Sequence, residues 1–120
     1  MAVLTEPRHA GEFIVSEANG SRSRDAIVTA TGTLEAGTVL GRITSSGKYV
    51  ILAPGASDGS QTAAGILYEA VSGTDQKAVA VVRDAEVSGP GLVWPGSITG
   101  PQKATAIAQL AALGVIVRNG

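Results

Sequence analysis

The sequence predicts a mainly β domain with one C-terminal helix, preceded by an extended N-terminal arm. Three observations carry this reading. Short runs of Val, Ile, Leu and Ala alternate with turn clusters from Ala26 onward. Glycine is frequent, 16 of 120 residues, which suits a chain of tight turns better than a helical one. A helix-start signature stands at Thr99, close to the end. The length allows one domain plus an arm, divided here into residues 1–25 (arm) and 26–120 (domain).

The elements follow in order. In "GEFIVSEANGSRSRD" (11–25), Phe13, Ile14 and Val15 favour a strand, bounded by Gly11 and by Asn19-Gly20. A polar Ser/Arg stretch separates it from the rest, so the segment is expected to be an arm whose strand pairs with an edge outside its own domain, within that domain, or on a sister subunit. "AIVTATG" is a strand ending at Gly32, and residues 38–53 form a hairpin turned by "SSGK". "PGASDGSQ" (54–61) is a surface loop. "TAAGILYEAV" is a buried strand in which Gly65 allows a bulge or close backbone approach. "KAVAVVRDAEV" follows as a further strand run, with Val79, Val81 and Ala85 alternating. "SGPG" breaks the pattern before "LVWPG".

Thr99 and Gln102 have capping-box spacing, and Pro101 occupies the first turn, where an amide has no intrahelical partner. Ala104, Ile107, Leu110, Ala111 and Gly114 fall along one helical face, with Gly114 placed to terminate it. "VIV" (115–117) is a last short strand.

Composition removes several classes of function. Ten acidic and nine basic residues leave a net charge of -1, without the concentrated basic surface that nucleic-acid binding requires. Cysteine is absent, which excludes disulfides, thiolate chemistry and cysteine-bound zinc. No apolar run approaches the roughly 18 residues of a membrane span. "MAVLTEPRHAGEF" lacks a signal-peptide pattern, so a soluble protein made in the cytoplasm is expected.

A search for chemistry finds little. His9 is the single histidine and lies in the arm, so no Ser-His-Asp arrangement can form around Asp58 and Ser60 in "ASDGS". Asp84 and Glu86 share a strand face, but two carboxylates make an incomplete cation site. Lys48 sits in a hairpin turn, as the modified Lys of carrier domains does, yet neither Met nor Asp precedes it. Arg22 and Arg24 could grip phosphate or an acidic neighbour, but two charges in such a segment usually serve solubility. Trp94, set against Pro95, is either a core plug or an interface anchor. No catalytic, cofactor-binding or metal-binding residue is assigned, and no cofactor is expected.

Three stretches resemble the lambda-type bacteriophage head decoration proteins: "GSQTAAGILYEAV" (59–71), "GLVWPG" (91–96), and the helix with its closing "GVIVR" (114–118). "GEFIVSEANGSRSRD" and "LEAGTVLGRIT" resemble the longer-armed branch of that family, although a strand-like stretch here replaces a Pro-rich polar arm. The resemblance implies a compact β-clip-like domain and a homotrimer. It implies further that the trimer sits on three-fold positions of the expanded head, binds the major capsid protein, and resists the pressure of packed DNA without catalysis. On this reading Glu12, Phe13, Ile14, Val15 and Ser16 are the capsid-binding part of the arm, and Trp94 and Pro95 are interface anchors. Two rivals remain: another trimeric virion or tail module, and a carrier or enzyme on a related scaffold using Lys48 or Asp58.

Overall fold

A computed structural model describes residues 11, 13–17, 23–96 and 98–118. Its elements are β1 (Ile14–Glu17), β2 (Arg24–Thr29), β3 (Thr33–Leu34), β4 (Val39–Arg42), β5 (Tyr49–Ile51), β6 (Ala63–Leu67), β7 (Val71–Ser72), β8 (Gln76–Val81), β9 (Ala85–Ser88), α1 (Gly100–Leu113) and β10 (Val115–Arg118). The expected class, mainly β with a C-terminal helix, is the observed one. Five strands close a barrel in the order β2-β5-β4-β6-β8, and β1-β9-β10 form a separate three-stranded sheet. A small antiparallel pair, β3 with β7, completes the strand pairing among the described residues.

Local sequence explains the barrel strands. The β4-β5 hairpin turns at Gly47, whose φ of 72° is one that side-chain-bearing residues rarely adopt. Ile43 donates to Lys48 O at 2.8 Å, closing that turn. Gly41 has a different reason to lack a side chain, because a Cβ there would stand 2.1 Å from Ser60 O. On β6 one extra residue, Ala64, is inserted between the pairs Leu40↔Gly65 and Gly41↔Ala63, the bulge that Gly65 suggested.

Both faces of β4, β6 and β8 are covered, which is why "GILY" and "AVAVV" read as continuous apolar runs rather than alternating ones. Leu40, Leu67 and Ala80 join Ile27, Leu34 and Val82 in one apolar cluster. Their chain neighbours Val39, Ile66 and Val81 join Phe13, Val87, Leu92, Leu110 and Val115 in a second, where barrel, helix and sheet meet.

Two expectations need correction. The run "KAVAVVRDAEV" is two strands, not one, because Asp84 takes a left-handed conformation with φ 50°. Asp tolerates that region better than most residues, and the bend carries the chain out of the barrel into the second sheet. The helix buries Ala106 and Leu110, whereas Ala104 and Ala111 are exposed. Ala is too small for its spacing to fix a buried face. The helix ends are as expected: the Gln102 amide donates to Thr99 Oγ1, the Thr99 amide donates to Gln102 Oε1, and Gly114 closes the helix with φ 92°.

Candidate functional site

The second sheet carries the surface of interest. β9 is its central strand, so β1 and β10 are both edges. β1 runs antiparallel to β9 and β10 runs parallel to it. Ala85 and Val87 face inward and are buried, so Glu86 and Ser88 belong to the outer face. Ile116 and Arg118 register with Glu86 and Ser88, and Ser16 registers with Glu86. A polar row therefore crosses all three strands: Ser16 Oγ donates to Glu86 Oε2 at 2.8 Å, and Arg118 Nη2 donates to Glu86 Oε1 at 2.5 Å. The Arg118 guanidinium, with help from Ser16, holds the Glu86 carboxyl below its ordinary range.

β1 carries one extra residue between the pairs Ile14↔Val87 and Ser16↔Glu86. That residue, Val15, is 59% exposed, and Ile116 is 37% exposed. Two large apolar side chains thus stand in solvent on one small sheet whose two edge strands have no further strand partner among the described residues.

The predicted arm residues separate. Glu12 lies outside the described residues. Phe13 is 1% exposed, packed in the cluster where helix, barrel and sheet meet. Its carbonyl accepts from the Ser88 amide at 2.7 Å, and a Cβ at Gly91 would stand 3.2 Å from the Phe13 Cβ. Ile14 is half-buried against the same cluster, whereas Val15 and Ser16 are exposed.

Residues 13–17 thus pair with β9 and pack on the core, and residues 24 and 25 lie in barrel strand β2. The reason is composition. In a chain with 3% aromatic residues the one Phe is too valuable to the core to be left on a tether, since burying such a side chain is worth about 1.5–3 kcal/mol.

β1 ends in a charged clasp that sequence reading missed. Glu17 accepts from Ser23 Oγ and from the Arg24 guanidinium, and Arg24 also lies 4.0 Å from the centre of the Tyr68 ring. Arg24 lowers the Glu17 carboxyl from its ordinary range, partly opposed by burial, and Glu17 in turn raises Arg24. A spacing of seven residues carries no recognisable motif.

Trp94 is half-buried, packed on the core, with Lys103 Nζ 5.3 Å from its ring centre. Its indole N–H is enclosed and has no hydrogen-bond partner among the described residues. With Pro90, Lys103, Ile107 and Val117 it borders a cleft of about 220 Å³. Pro95 is half-buried beside it.

The candidates for chemistry stay apart. Lys48 Nζ is bound to Asp75 Oδ1 at 2.6 Å. Asp58 is exposed, and its Oδ1 accepts from the Ser60 hydroxyl and amide at 2.5 and 3.0 Å. Those bonds lower the Asp58 carboxyl and make it a loop cap. Asp84 sits on the bend before β9, off the strand that holds Glu86, so the two do not share a strand face. No cluster of three metal-ligating side chains occurs among the described residues. His9 and Arg22 lie outside the described residues.

Barrel and clasped three-stranded sheet define a small, mainly β protein that presents Val15 and Ile116 to solvent. The family model for bacteriophage lambda head decoration protein D matches residues 3–115, and the chain belongs to that family. It is a family of structural phage proteins that decorate the capsid. No curated protein matched the chain.

Proposed function

We propose that the protein is a cement of the phage head: it is made in the host cytoplasm, then binds the expanded shell from outside as a homotrimer at three-fold positions. There it contacts the major capsid protein and holds neighbouring subunits against the pressure of packed DNA. The family match over residues 3–115 carries this reading, since it spans nearly all the elements described above.

The geometry supplies a means of attachment. An open strand edge can be extended by a strand from a partner through main-chain bonds. Each such bond is worth about 1 kcal/mol net, whereas ordering a residue costs about 1–2 kcal/mol. A free arm pairing with a strand would therefore gain little. β1 is already held by β9, so the cost of ordering falls on the partner alone. Val15 and Ile116 add apolar area, worth about 25 cal/mol per Å² buried. Three linked copies raise the effective concentration of each further contact. Residues 1–10 and the Trp94–Pro95 corner complete the proposed contact set.

The test is to mix the purified protein with expanded heads that lack it and to image the particles. Density at the three-fold positions, with β1 facing the shell, is the expected outcome. Empty three-fold positions, or attachment to tails, refute the reading.

A further inference from the structure

Away from β1, the barrel has a second open edge. β2 pairs with β8 along its whole length, from Arg24↔Val81 to Thr29↔Gln76, but with β5 it pairs at Thr29↔Tyr49 alone. Among the described residues the barrel is therefore closed along this seam by a single strand pair at one end. Across that seam Ala30 donates its amide to Tyr49 O at 2.9 Å. Amides two residues apart on a strand point the same way, so those of Val28 and Ala26 face the seam as well. Neither has a backbone partner there among the described residues.

The seam opens into a groove of about 710 Å³ bordered by Asp25, Ile27, Arg42, Lys48, Tyr49 and Lys77. Its charge is uneven. Lys48 is paired with Asp75 and Asp25 with Arg83. Arg42 and Lys77 have no ion-pair partner among the described residues.

We propose that this groove receives an extended, acidic segment of the shell subunit, which adds as a strand to the open edge of β2 and sets carboxylates against Arg42 and Lys77. The inference rests on the decoration reading given above and adds a second, distinct contact to it. A sister copy is the poorer occupant on the chain's own chemistry. Among its described edge strands, β3 and β7 carry no acid, β10 carries only Arg118, and the one acid of β2, Asp25, is held by Arg83. The one acid of β1, Glu17, is held by Arg24 and Ser23. Among the described residues, main-chain amides without a backbone partner stand beside two cations without an ion-pair partner, which matches a strand bearing negative charge.

The test uses the full chain and expanded heads lacking it. Amide exchange is followed at Ala26 and Val28, free and head-bound, for the native protein and for Arg42→Glu/Lys77→Glu, and at Val28 alone for Ala26→Pro. The proline removes an amide facing the seam while leaving the ladder to β8 intact, and Ala26 is exposed.

Head binding is expected to slow exchange at both amides by about tenfold or more. The charge reversal is expected to weaken head binding by about tenfold, with an unchanged thermal midpoint. Ala26→Pro is expected to weaken it comparably, and the charge reversal keeps the test decisive if the proline disturbs the barrel. Native protein that occupies the heads with Ala26 and Val28 still exchanging fast overturns the groove assignment and leaves decoration standing. Native protein that does not occupy heads overturns both. Protection that appears without heads and rises with protein concentration identifies a sister copy as occupant and overturns the assignment.

Discussion

Phe13 shows how a single side chain can decide what a segment does. It is fully enclosed, so truncating it leaves a cavity that β1, β9 and α1 all border. Phe13→Ala is expected to cost about 3–5 kcal/mol of stability, measured by chemical denaturation. Val15→Ala, two residues on and exposed, is expected to be nearly neutral in the free protein.

Glu17 gives a pH signature. Its carboxyl is lowered in the folded state, so the stability it contributes is present above the unfolded value of about 4.3 and is lost as pH falls through the folded value. Glu17→Gln is expected to destabilise by about 1 kcal/mol at neutral pH, and the difference from the native protein should vanish in acid. A pH series of melts reads this directly; a difference that persists undiminished in acid contradicts it. Neither role was visible in the sequence. "FIV" declares a strand, but nothing within it says whether the partner is β9 or a foreign edge, because main-chain pairing is indifferent to the identity of the other strand.

At the scale of elements, local signals were dependable and tertiary ones were not. The capping box, the hairpin turn and Gly114 were legible because each depends on residues within a few positions of each other. Thr99→Ala is expected to cost about 1 kcal/mol, and Thr99→Ser to restore most of it, both read by thermal unfolding. The division of β8 from β9 escaped notice because no Gly or Pro marks it, and the bend depends on one Asp in a left-handed conformation. The barrel seam was equally hidden. Whether β2 is flanked on one side or two depends on how far β5 runs beside it, and no short pattern encodes that. The Gln109 side chain, which accepts from the Ala63 amide at 2.8 Å and ties α1 to β6, belongs to the same class of long-range detail.

For the molecule as a whole, the family was legible from "GILY", "LVWPG" and the closing strand, while the layout of its attachment surface was not. Because residues 13–17 are integral to the domain, a truncation that removes them would unfold what it means to test. Deleting residues 1–10 is the cleaner experiment. It is expected to leave the thermal midpoint of the domain unchanged while lowering head occupancy by about tenfold or more, through loss of contacts repeated in three copies. Unchanged occupancy would remove that segment from the proposed contact set. Light scattering on the free protein then decides whether it meets the shell already trimeric.

β1 is joined to β9 side by side along its length, with its own direction opposed to that of its neighbour. Tension entering at Ile14 along the strand axis is consequently met by every rung of the ladder at once, in shear, rather than by one rung after another as in unzipping. A small protein stitched this way can transmit a steady outward pull into its barrel without coming undone at the seam where the pull arrives.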